Sequence, residues 1–201
     1  MKARRRRPRA YRQNRRARQA DANPARIVAA AAALIRTAPR VADITLDEIA
    51  RESEVTVRTI LRRFGSRDGM LEAAFVRLKT EIGALRQPTW PGDVDAALTS
   101  LLDQYEQMAD FNIRALQEEH LLPILHRGLE AARQYHREWI REIFALHLED
   151  FTPEEREPCV TALYAATDVY VWKLLRRDLK LDRAQTEDTF RRLVHGVLAE
   201  F

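Results

Sequence analysis

The chain has 201 residues, of which 46% are hydrophobic and 32% charged, with one cysteine, Cys159, and a formal net charge of +4. That length can bury about 70% of the surface its unfolded form exposes. A single cysteine excludes an internal disulfide and fits a reduced, cytoplasmic compartment, and no run approaches the roughly 20 apolar residues of a membrane span.

The charge is unevenly placed. Residues 1–20 hold ten Lys/Arg and no acid, so the remaining 181 carry 24 of the 34 basic groups against all 30 acids, a net of −6. An arm of that kind binds polyanions by electrostatics alone, without telling DNA from RNA or from an acidic membrane. RRRRPR followed by IVAAAAALI (27–35) mimics an export signal, but the apolar run is short and belongs to a helix that the next element needs, so export is not expected. Glycine (6) and proline (8) are scarce, no alternating apolar pattern is sustained, and Leu, Ala, Arg and Glu are abundant. These features predict an all-α protein.

Asn23-Pro24 opens the first helix, with Ile27, Ala31 and Leu34 on one face and Pro39 beyond its end. Thr45 and Glu48 form a capping box for a second, two-turn helix whose Leu46, Ile49 and Ala50 face a core. Ser53-Glu54-Val55 breaks it, and Thr56 caps a third helix over 57–64. Two short helices nearly abutting after a first one describe a helix-turn-helix unit. On the third helix Val57, Ile60 and Phe64 cluster on one side, while Arg58 and Arg62, four apart, share another; Thr59 and Arg63 point further round. A fourth helix runs from Ser66-Arg67-Asp68 to about Arg86, with Leu71, Phe75, Leu78 and Ile82 as its stripe.

After a loop at 87–93, helices are expected over 94–108, 111–120 and 124–147. TPEEREP (152–158) is a further boundary with a second capping box, Thr152 and Glu155, and with Pro158 marking the start of a long helix that reaches about Arg177. Asp182 and Gln185 open a last helix to about Ala199. The fold predicted is an N-terminal three-helix unit joined to a larger helical bundle, about nine helices in all.

The run ARIVAAAAALIRTAPRVADITLDEIARESEVTVRTILRRFGSRDGML (25–71) resembles the tetracycline-repressor (TetR) family of transcriptional regulators: an Ala-rich first helix, Thr-x-x-x-Ile-Ala, Val-Thr in the turn, Phe at the end of the third helix, then Ser-Arg-Asp. Beside the basic arm at 1–20 that the charge count shows, the resemblance implies a DNA-binding domain at 21–66 and an effector-binding and dimerisation domain at 67–201. It implies a homodimer bound to a palindromic operator in double-stranded DNA, with release by a small-molecule effector, and a repressor is the expected role.

Carried over residue by residue, it puts Thr45 against a phosphate at a helix start. Thr56, Val57, Arg58, Thr59 and Arg62 form the recognition surface, and Arg67 stands where the family usually has a phosphate-binding lysine. Two departures stand out. Glu54 occupies a turn position where the family has glycine, and Leu61 one where it has tyrosine; Arg62, Arg63 or the arm (Arg12, Arg15, Arg16, Arg18) then supplies the missing phosphate contact. Arginine can bond guanine O6 and N7 in a groove about 12 Å wide.

Effector candidates are Tyr105, Phe111, His120, His136 and Trp139, with His136 interrupting an apolar stripe. Two stripes on the last helices are the dimer candidates: Leu163, Thr167, Tyr170 and Leu174, then Phe190, Val194, Val197 and Phe201. Each is also what an ordinary core face looks like.

No phosphate loop, nucleophile elbow, His-Glu-x-x-His or paired cysteine is present, and the five histidines lack metal-ligand spacing. No catalytic residue, metal or cofactor is therefore expected. The alternative function is a basic-armed helical adaptor that binds RNA or acidic membrane without reading sequence.

Overall fold

The computed structural model of the protein describes residues 24–86, 89–149 and 151–201. The arm and the expected cap Asn23 lie outside these. Among the described residues there is no strand. The helices are α1 (Pro24–Thr37), α2 (Leu46–Glu52), α3 (Val57–Phe64), α4 (Arg67–Leu85), α5 (Val94–Gln117), α6 (Pro123–Ile143), α7 (Ala145–Leu148), α8 (Pro153–Thr167), α9 (Val169–Lys173) and α10 (Arg183–Glu200), with a π-helical turn at Leu174–Asp178.

Packing divides the chain into two compact units. The first comprises residues 24–38 with Asp43–Arg77, and the second Pro39–Ala42 with Leu78–Phe201. The sequence reading placed the boundary at 66/67. The packing places it inside α4, because Met70, Leu71 and Ala74 in the first turns of that helix are fully buried.

In the first unit, α1 packs on α2 and α2 on α3. Ile27, Ala31, Ile35, Ile49 and Ile60 are fully buried, and each isoleucine contributes about 2 kcal/mol by leaving water. The alanines of α1 let its neighbour approach closely. Both expected caps are present. Thr45 Oγ1 accepts from Glu48 N at 3.2 Å while Glu48 Oε2 accepts from Thr45 N at 2.8 Å. Thr56 Oγ1 accepts from Thr59 N at 3.2 Å. Gly65 ends α3 at φ 77°, its amide donating to Leu61 O; a left-handed residue here suits glycine, which has no Cβ to clash.

The second unit is built around α5. Leu98, Leu101 and Leu102 meet Ile140 and Phe144, Cys159 and Leu163, Trp172, and Phe190 and Val194 in one core. Two expectations differ from the fold. Residues 94–117 form one helix rather than two, since Met108, Ala109, Phe111 and Ile113 are all buried and keep the apolar face continuous through the supposed break. The long helix expected to reach Arg177 stops at Thr167. Asp168 is extended (φ −72°, ψ 152°), and its side chain accepts from Tyr170 N to cap α9. The break has a tertiary cause: Tyr105 Oη donates to the Thr167 carbonyl at 2.9 Å. Pro158 lies inside α8 rather than at its start; the box formed by Thr152 and Glu155 opens that helix.

Candidate functional site

In the first unit α3 presents its charges outward. Ile60 anchors the helix, with Val57 and Phe64 half-buried, while Arg58, Arg62 and Arg63 are exposed. These three arginines make no hydrogen bond or ion pair among the described residues. The three glutamates of α2 and the following turn are engaged elsewhere. Glu48 is held in its capping box, its carboxyl kept below the usual range by the Thr45 amide and then the Thr45 hydroxyl. Glu52 lies 3.8 Å from Arg51, and Glu54 lies 3.4 Å from Arg26. Three cations in two helical turns are thus left facing solvent.

The other expected contacts are placed as follows. Thr56 is exposed and Thr59 half-buried, their hydroxyls 3.0 Å apart, so the cap also fixes the start of α3. Leu61 is exposed beside the arginines. Thr45 gives both its amide and its hydroxyl to Glu48, so a phosphate there would have to be met by the following amides of α2. Arg67 is half-buried, with Nε donating to the Ile44 carbonyl at 2.7 Å, which ties the start of α4 to the segment before α2. Glu54 adopts φ 51°, the left-handed turn geometry for which the family's glycine is suited. Arg12, Arg15, Arg16 and Arg18 lie outside the described residues.

The second unit contains a buried polar chain. His136, which is 7% exposed, has Nε2 3.0 Å from Thr167 Oγ1. That hydroxyl donates to Leu163 O at 2.7 Å, so it accepts from His136 Nε2–H and leaves Nδ1 as an acceptor. Facing Nδ1 at 3.5 Å is Arg86 Nη1. Burial, then the neighbouring guanidinium, brings the His136 pKa down to about 3, so the ring is neutral. It stacks on Trp139 at 5.3 Å and meets the edge of Tyr164 at 5.0 Å. Tyr105 joins through Thr167, and its hydroxyl is pushed up by burial.

Three of the five effector candidates, Tyr105, His136 and Trp139, therefore meet in one network. Phe111 is buried on α5 outside it. His120 is exposed and lines a separate open cleft of about 570 Å³ with Leu116, Glu119, Pro123 and His126. The acid of that cleft is already paired: Glu119 accepts from Arg133 at 2.8 and 2.6 Å and lies 3.0 Å from His126. The Arg133 bond and then His126 hold its pKa down to about 2.

Of the dimer candidates, Leu163, Thr167, Phe190 and Val194 lie in the core of their own unit. Val197 is half-buried against that core, and Tyr170, Leu174 and Phe201 are exposed. Leu193, absent from the sequence reading, is exposed as well. Arg86 and Gln104 were also missed. Their only sequence signal is a glutamine at an otherwise apolar register of α5, since Arg86 sits at a helix end where arginine is ordinary. Among the described residues no group of three or more His, Cys, Asp or Glu is placed to hold a metal ion, and no helix is long and apolar enough to cross a membrane.

A capped helix-turn-helix whose α3 arginines have no ion-pair partner among the described residues is an arrangement suited to binding DNA. Residues 27–74 match the family described as bacterial regulatory proteins, tetR family. Its fold is similar to that of a transcriptional regulator from Rhodococcus sp. Rha1, with a TM-score of 0.69 at 17% identity over 89% of this chain and 97% of that one. It is also similar to a candidate transcriptional regulator from Pseudomonas aeruginosa PAO1, with a TM-score of 0.67 at 14% identity over 88% and 90%. No curated protein matches the chain.

Proposed function

We propose that the protein is a repressor that binds a near-palindromic operator as a homodimer and leaves it when a small molecule enters the second unit. The observation that carries the DNA-reading part is the trio Arg58, Arg62 and Arg63, exposed on α3 with no ion-pair partner among the described residues. A helix fits the major groove, and arginine can bond guanine there in bidentate fashion. One such unit spans few base pairs. Two related by a dyad reach successive grooves about 34–36 Å apart, which makes a near-palindrome the expected site. Thr56, Val57 and Thr59 flank the arginines, Thr45 and Arg67 sit at helix starts suited to phosphate, and the arm adds affinity of little sequence preference.

The surface left for a second copy is the exposed apolar set of the last helices, Tyr170, Leu174 and Leu193 with Phe201. The side chains already packed in the core are not available to it. Repression follows if the operator overlaps a promoter.

Selection of bound sequences from a random duplex pool at moderate salt tests this reading, and recovery of a near-palindrome is the expected result. The Arg58→Ala/Arg62→Ala double variant should keep its melting temperature, since both side chains are exposed, yet lose at least tenfold in preference for that site over random duplex. Unchanged preference would mean that the arm alone drives binding, as in an RNA or membrane adaptor.

A further inference from the structure

Among the described residues, the positive charge of Arg86 is met only by neutral groups. It stands one residue past α4, half-buried. Nε and Nη2 both donate to Gln104 Oε1, at 3.1 and 2.7 Å, and Nη1 lies 3.5 Å from His136 Nδ1. The guanidinium carbon is 4.7 Å from the ring centre of Trp139 and 5.3 Å from that of Tyr135. By contrast Arg133, Arg176 and Arg183 of the same unit end on Glu119, Glu106 and Asp103. A cation withdrawn from water without an anion is costly to the fold, and such groups cluster at functional sites.

The geometry of the Gln104 contact is informative. A single amide oxygen takes two parallel donors of the guanidinium fork, the place that a carboxylate fills in a bidentate pair. Gln104 Nε2 in turn donates to the Ile82 carbonyl at 2.8 Å, in the last turn of α4. Around the fork stand aromatic faces, Tyr135, Trp139 and the His136 ring stacked upon it.

We propose that Arg86 anchors an effector site for a small aromatic carboxylate, whose oxygens take the fork now held by Gln104 while its flat body lies against Tyr135, His136 and Trp139. This rests on the reading that the second unit receives a small molecule, and it names the chemistry of that molecule. Binding releases Gln104 from Arg86 and so loosens its bond to Ile82, at the end of the helix that begins in the DNA-reading unit. It also bears on the Arg86–His136–Thr167 chain, which ends at the break between α8 and α9. A ligand confined to the second unit thereby touches both the connecting helix and the helices proposed to hold the dimer.

The test uses the full chain without DNA, at constant ionic strength, titrated with benzoate and with benzamide as its neutral isostere. Tryptophan fluorescence and melting temperature are read together. Benzoate is expected to give a saturable fluorescence change and a rise in melting temperature, and benzamide neither. Arg86→Gln should abolish the response. Gln104→Glu, which supplies a resident carboxylate to the fork, should fold and also fail to respond, so the decision stands even if Arg86→Gln does not fold. Absence of a saturable benzoate response up to millimolar concentration, equal responses to the two compounds, or a wild-type response in a folded Gln104→Glu chain overturns the proposal. Because no DNA is present, any of these leaves the operator-binding reading to be judged by its own selection experiment.

Discussion

His136 shows how a single buried side chain sets the pH response of the second unit. The ring is neutral in the fold, with its pKa lowered to about 3, against about 6.5 in an unfolded chain. The folded state therefore binds fewer protons than the unfolded state between those values. Stability is unaffected above about pH 7, then falls as pH drops through 6.5 and keeps falling towards 3. The groups facing the ring are Arg86, whose charge reinforces the effect, Tyr164, and Thr167 from α8. Glu119 and Glu106, whose carboxyls are held low by arginines, lose their stabilising share only below about pH 4.5, so the window from 7 to 5 isolates the histidine. Asp168, raised by burial, acts in the opposite sense but is common to both chains compared. Wild type should lose about 2 kcal/mol between pH 7 and pH 5. His136→Gln should lose clearly less over the same interval, whatever its stability at pH 7, as read by urea unfolding at each pH. Parallel pH dependence in the two chains would rule out His136 as the source.

At the scale of elements, the α2–α3 turn carries a strain that the sequence announces. Glu54 stands at φ 51°, a conformation that costs an L-residue with a Cβ about 1 kcal/mol. Its pairing with Arg26 is a contact of a well-exposed carboxylate at 3.4 Å and offsets little of that. Glu54→Gly should raise stability by about 0.5–1 kcal/mol, and Glu54→Ala should change it by less than half as much, both measured by thermal unfolding; a destabilised glycine variant would show that the ion pair outweighs the strain.

This turn was legible because its cause is local, a residue type set against a backbone angle. The same holds for the caps at Thr45, Thr56, Thr152 and Asp182, where a side chain meets an amide three residues on. The break at Thr167–Asp168 was not legible, since it depends on Tyr105, 62 residues away, and on His136, 31 away. Nor was the Arg86 network, whose partners come from α5 and α6 and share no spacing in the chain. A periodic stripe likewise does not distinguish a helix's own core from a partner's surface, which is why Leu163 and Phe190 looked like Tyr170 and Leu174.

For the whole molecule the decisive quantity is the number of copies that meet DNA. Tyr170, Leu174 and Leu193 are respectively 55%, 49% and 41% exposed, and large apolar side chains gathered on consecutive elements mark an interaction surface more often than scattered ones do. If a second copy covers them, Leu174→Glu combined with Leu193→Glu places like charges at the interface without touching either core. Substitutions at exposed positions usually move chain stability by less than about 0.5 kcal/mol, so the isolated fold should survive. The assembly should fall from twice 23.3 kDa to 23.3 kDa, read by sedimentation equilibrium at micromolar concentration. Operator affinity should fall with it, by 10²-fold or more, because the second half-site is then no longer bound at the high effective concentration that linkage provides, while affinity for a single half-site stays the same. Leu163→Glu is the contrasting variant: it buries a charge in the core and should unfold the chain rather than dissociate it. A wild-type chain that already sediments at 23.3 kDa removes the second copy from the account, and a doubly substituted one that remains paired places the interface on another surface.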